Sequence, residues 1–215
     1  METSLGPTDP RNQGVPHGGD VKKSATTAFP ARKGVSGENV PAWYVVRGVF
    51  GKAADLHRHL QSVGRESFFP MCYRKKGITK KTVPAIPNLC FVRGTHREVM
   101  AIIDAPVEEM HGLSQYLAPC KDVATKEIMC VPDGEMKRFM DAFTIIGEEA
   151  VWLDPKTLNL KKGDHVRVIG GQFEGVEGYI KRIFGQQRVI VTLQDFAAIA
   201  TAYVPTPLVE RIGEE

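Results

Sequence analysis

The chain has 215 residues, 42% of them hydrophobic, enough for one large or two small packed domains at roughly 100–200 residues each. Its formal net charge of +3 selects no class of partner, and no apolar run approaches the ~18 residues needed to cross a bilayer. The four cysteines, Cys72, Cys90, Cys120 and Cys130, form no CxxC pair and stand at no zinc-finger spacing from a histidine, so no metal site is expected and a reducing cytoplasm is the simplest home.

Residues 1–40 are rich in Gly, Pro, Ser and Thr and lack an apolar signal core. They hold too little apolar surface to offset their ordering entropy, which predicts a disordered tail. Residues 43–46, Trp-Tyr-Val-Val, are β-prone. Ala53, Leu56, Leu60 and Val63 then recur at helical spacing, with Gly64 as the stop. Residues 68–73 read as a second strand, 74–81 as a polar turn, and Val83 opens the return strand. Leu89, Cys90, Phe91 and Val92 form a short run of buried-strand type, and Cys90 reads as a small buried hydrophobe. Thr95 and Glu98 have capping-box spacing ahead of Val99, Ile102 and Ile103, and Pro106 ends that helix. Residues 128–131 suggest another strand, after which Pro132 and Asp133 open a helix with Met136, Phe139, Met140 and Phe143 on one face. The order β-α-β-β-α-β-α is that of an α+β sandwich, with helices on an antiparallel sheet. Residues 145–160 read as a linker. From 161 onward Val166 and Val168, Ile180 and Ile183, then Val189, Val191 and Leu193 mark three strands. Glycines at short intervals between them suit a small, sharply curved β-barrel.

Charge is spread unevenly along the chain. Residues 47–81 hold nine Lys/Arg against Asp55 and Glu66, whereas residues 98–154 hold twelve Asp/Glu against four bases. Such polarity suits a domain that lays one side on a polyanion, and equally one whose charges simply remain solvated. No G-x-S-x-G or H-E-x-x-H occurs. His57 and His59 are two apart on a predicted helix, so their side chains diverge. The C-terminal glycines have no following helix to hold a phosphate. With no nucleophile–base pair or acid pair in view, neither catalysis nor a cofactor is expected.

Three segments carry a family resemblance. The run WYVVRGVFGKA, residues 43–53, resembles the opening strand and turn of the NusG N-terminal domain, and PAIPNLCFVR, residues 84–93, resembles that domain's signature strand. GDHVRVIGGQFEGVEGYIKRI, residues 163–183, is similar to the KOW motif, with its Gly-Asp opening and Gly-x-Phe-x-Gly turn. The resemblance covers residues 42–212. It implies an NGN-type polymerase-binding domain at 41–144, the linker at 145–160 and a KOW domain of SH3-like barrel type at 161–215, in a cytoplasmic monomer that catalyses nothing.

The partner it implies is RNA polymerase, whose clamp helices would dock in an apolar pocket formed by Ile86, Leu89 and Phe91. Ile86 stands where the family usually has Phe, and Leu89 where it usually has Tyr. Lys52, Arg58 and His59 fall where family members approach the non-template DNA strand, and Arg74, Lys75, Lys76, Lys80 and Lys81 crowd a hairpin tip. Phe196 matches the start of a Phe-Gly-Arg-x-Thr-Pro loop that contacts Rho or a small-subunit ribosomal protein. Ala197 and Ala198 replace its Gly and Arg, which removes a charged, multi-donor contact. With the long tail and the Ile-Pro-Asn-Leu strand, the likeness is to the UpxY group of antiterminators linked to capsular polysaccharide operons. The implied function is operon-specific promotion of processive elongation. A general NusG factor coupling polymerase to Rho or the ribosome, and a KOW-type RNA-binding ribosome-associated protein, stand as alternatives.

Overall fold

The computed structural model of the protein describes residues 39–76, 79–147, 150–158, 160, 165–194 and 196–212. Two sheets dominate, one in each half of the chain. In the N-terminal half, β1 (Ala42–Gly48) is central. It pairs antiparallel with β5 (Leu89–Gly94) on one edge, and with β6 (Leu117–Pro119) and β7 (Cys130–Val131) on the other. A short strand, β2 (Ser67–Phe68), adds to the far side of β5.

Residues 42–46 of β1 are all buried, because both faces of this sheet are covered. Alternation assigns the faces. Ala42, Tyr44 and Val46, with Cys90 and Val92, pack against Ala53, Leu56 and Leu60 of α1 (Lys52–Ser62) and Val99 and Ile103 of α2 (His96–Ile103). Trp43, Val45, Phe91 and Val131 point the other way, onto Met136, Phe139, Ala142 and Ile146 of α3 (Asp133–Ile146). The capping box opens α2 as expected: Thr95 Oγ1 accepts from the Glu98 amide at 3.3 Å, and the Glu98 carboxylate accepts from the Thr95 amide at 2.8 Å. Arg93 ties the edge of the sheet together. It donates to both Asp133 carboxylate oxygens at 3.0 and 2.8 Å and to Glu66 at 2.6 Å.

The strand expected over 68–73 is interrupted at Pro70, which has no N–H to give a ladder. Beyond it, β3 (Met71–Lys76) and β4 (Thr79–Pro84) form a two-stranded sheet of their own, with Arg74 opposite Lys81 and Lys75 opposite Lys80.

The C-terminal half is all β, as expected. Its strands are β8 (Val151–Leu153), β9 (His165–Val168), β10 (Glu177–Ile183), β11 (Gln186–Leu193), β12 (Ala197–Ala200) and β13 (Val209–Arg211), in the spatial order β13-β9-β10-β11-β12-β8. Gly178 allows β10 and β11 to approach closely, since a Cβ there would collide with the Ile190 carbonyl. The molecule is therefore α+β, with a helix-flanked antiparallel sheet followed by a small all-β unit. Residues 151–153, inside the stretch read from sequence as a linker, form the edge strand β8.

Candidate functional site

The expected polymerase-facing residues lie on or just before β5. Phe91 points to the α3 side and is 0% exposed. Its ring lies 6.2 Å from Phe68 and 6.0 Å from Phe196, the latter edge-on. Leu89, on the same face two residues earlier, and Ile86, in the turn before β5, are half-buried against the same cluster. Phe91 is thus sealed from solvent, by α3 on one side and by the turn between β11 and β12 on another, while Ile86 and Leu89 keep part of their surface exposed.

That turn makes Phe196 and Phe91, for which the family resemblance implies two different partners, neighbours of one another. Gln194 reinforces the contact by donating to the Cys130 carbonyl at 3.4 Å. Trp152 of β8 completes it, with ring centroids 6.3 Å from Phe139 and 5.6 Å from Phe143 of α3. Its indole Nε1 is buried without an acceptor, a cost that exposure to water would relieve. Sequence reasoning missed Gln194, because it carries no local signal for a contact so distant along the chain, whereas Val151, Trp152 and Leu153 read as an apolar stretch able to dock, on a surface the sequence does not identify. A cavity of about 230 Å³ opens nearby, lined by Met71, Cys72, Tyr73, Phe143, Gly147 and Ala150, and none of Ile86, Leu89 and Phe91 belongs to its wall.

The basic candidates divide into two groups. Lys52 and Arg58 both pair with Asp55 on α1, Lys52 at 2.9 Å, so one carboxylate offsets two cations. Lys52 also lies 5.9 Å from the Tyr116 ring, and Tyr116 meets the exposed ring of Phe50 edge-on at 6.2 Å. His59 is half-buried on the same helix. In the second group, the backbone of β3 and β4 carries Arg74, Lys75, Lys76, Lys80 and Lys81, and Lys81 is exposed. The side chains of Arg74, Lys75, Lys76 and Lys80 lie outside the described residues.

Nucleophile chemistry has little support in the thiols. Burial pushes the Cys90 thiol up to about 12 and raises Cys120 and Cys130 as well, which keeps all three protonated at neutral pH. No group of three or more His, Cys, Asp or Glu among the described residues is arranged to hold a metal ion.

No curated protein matches the sequence. A solved structure described as "Domain interaction in Thermotoga maritima NusG" aligns with 80% of this chain and 98% of its own at 20% identity, with a TM-score of 0.38, an overlap too loose to argue from. Residues 162–193 match the profile of the KOW motif, which takes in β9, β10 and β11. The C-terminal all-β unit is therefore a KOW unit.

Proposed function

We propose that this protein is a non-catalytic transcription elongation factor of the NusG type that binds the clamp helices of RNA polymerase through Ile86, Leu89 and Phe91. Within that type we read it as an operon-specific antiterminator of UpxY character, acting in the cytoplasm as a monomer. The observation that carries the reading is the Phe91–Phe196 contact. The N-terminal sheet has more apolar surface on its α3 side than α3 covers, and residues of the C-terminal half pack against the remainder. An apolar face of this kind suits a helical partner, because water exclusion drives the contact without matched donors.

The KOW unit would swing aside as polymerase takes its place, a shift driven by the polymerase's preference for the open state. Ala197 and Ala198 are buried in β12, so an arginine in place of Ala198 would lose its access to solvent. That supports a specialised factor over one that grips Rho through an arginine. The β3–β4 hairpin, rich in cations, would approach the non-template DNA strand and gain salt-sensitive affinity without sequence preference. Cross-linking from this hairpin to DNA in an elongation complex tests that contact. Absence of cross-links, together with unchanged pausing after Lys80→Gln and Lys81→Gln, would remove it.

The central test is retention of purified RNA polymerase by wild type and by Leu89→Asp, with circular dichroism showing that the variant is folded. A charge in an apolar contact costs several kcal/mol, at least ~3, so binding should fall more than a hundredfold. If a folded Leu89→Asp protein retains polymerase as wild type does, the reading fails.

A further inference from the structure

Trp152 is held in two ways that belong to different halves of the chain. Its backbone lies opposite Ile199 in the ladder between β8 and β12. Its ring leaves the C-terminal sheet and packs on α3, against Phe139 and Phe143. Alternation along a strand sends its neighbours to the opposite face. There Val151 and Leu153 join Leu158 and Leu160 over Ile190, Ala198 and Ala200. The chain turns back to do so at Asp154, whose carbonyl accepts from the Thr157 amide at 3.1 Å and from Thr157 Oγ1 at 2.8 Å. β8 is thus an integral edge of the C-terminal unit, and within it the indole is what reaches α3.

Two costs lie at this contact. Trp152 Nε1 is buried with no acceptor among the described residues. A desolvated donor left unpaired costs more than a typical made hydrogen bond contributes. Gln194 donates across the contact to the Cys130 carbonyl at 3.4 Å and to the Glu135 carboxylate at 3.5 Å, both longer than usual. It does so from a backbone φ of 45°, where a Cβ is crowded. A ring built into a single permanent core would be expected to find an acceptor, because a buried indole N–H usually does.

We propose that Trp152 is a release latch: the C-terminal unit holds α3 through this ring, and the unmet indole N–H sets the contact to open before either half unfolds. Its purpose rests on the function proposed above, since an open latch presents Phe139 and Phe143 to the helical partner on the face that carries Leu89. The ladder to β12 and the packing of Val151, Leu153, Leu158 and Leu160 keep β8 with the C-terminal unit when the ring leaves. Only residues 147–150 separate α3 from β8 in sequence, so a displaced ring stays near and docks again readily.

Hydrogen exchange on the full-length protein decides this without polymerase. The Trp152 indole N–H, identified as the indole signal that Trp152→Phe loses, reports the latch. The Val45 amide, which donates to the Met129 carbonyl at 3.3 Å, and the Val189 amide, which donates to Thr201 Oγ1 at 3.0 Å, report the two halves. With each rate taken relative to the free peptide, the indole should be protected roughly tenfold less than either amide, and its exchange should depend less on urea. Equal protection of all three with one urea dependence would make Trp152 part of a single core and overturn the proposal. Indole exchange as fast as in free tryptophan would overturn it too, because the ring would then not be held. In a second arm, Trp152→Ala, shown to be folded by circular dichroism, should bind polymerase about tenfold more tightly than wild type. Equal or weaker binding by this variant, with wild type bound, refutes the latch. Failure of both proteins to bind polymerase counts against the proposed function alone, and the exchange result then decides the latch.

Discussion

Truncating Phe196 to alanine should weaken the contact between the two halves of the molecule. Removing a fully buried phenylalanine costs about 3–5 kcal/mol, and an edge-on ring pair adds about 0.5–1.5 kcal/mol beyond burial. Phe196 is half-buried and meets Phe91 edge-on, so the loss should be roughly 2 kcal/mol. Phe196 packs against one continuous cluster that joins Trp43, Phe91 and Phe139 to Val166, Val189 and Ile199 of the KOW unit. If the loss falls on the contact between the halves, the ratio of closed to open molecules should drop about thirtyfold. Water reaching Trp152 Nε1 on opening acts in the same direction.

Intrinsic fluorescence offers a direct assay, because both tryptophans, Trp43 and Trp152, belong to the shared cluster. Phe196→Ala should shift emission to the red and make it more accessible to a collisional quencher, while far-ultraviolet circular dichroism stays unchanged. On the proposed function it should also bind polymerase more tightly than wild type. Emission and quenching identical to wild type would show that the ring does not hold the halves together. Loss of a cooperative melting transition would show that it belongs to the core of the KOW unit instead.

The Arg93 network makes two further predictions. Arg93→Ala should lower stability by about 1 kcal/mol, since its partners are partly exposed and solvent screens them, and the melting midpoint should fall by a few degrees. Stability should also depend on pH through Asp133, whose carboxyl Arg93 holds below the usual carboxylate range by hydrogen bonding. A carboxyl depressed in the folded state contributes stability that is fully present above its unfolded pKa of about 4 and is lost as pH falls through the folded value. Urea midpoints of wild type and Arg93→Ala should therefore converge on acidification below about pH 4. A gap that stays constant down to the acid end would refute this.

Much of the fold could be read from local pattern, because local pattern encodes local geometry. Thr95 and Glu98 specify the start of α2 through a contact spanning three residues, and the structure forms both of its hydrogen bonds. The run of Cys90, Phe91 and Val92 signalled a strand buried on both faces, which β5 is. Short elements were harder to read. β6, β12 and β13 have three or four residues each, too few to show a period, and they exist because a neighbouring strand offers a ladder. The division of 68–84 into an edge strand and a separate hairpin likewise follows from which neighbours lie within reach of the chain.

The candidate site divides along the same line. Alternation along β5 determined that Leu89 and Phe91 share one face and that this face is apolar. Tertiary structure alone decided what covers it, because Phe91 meets Phe196 across more than a hundred residues of chain, and apolar surfaces attract without direction. A period in sequence states which side of an element avoids water, and only the packed molecule states which body displaces it.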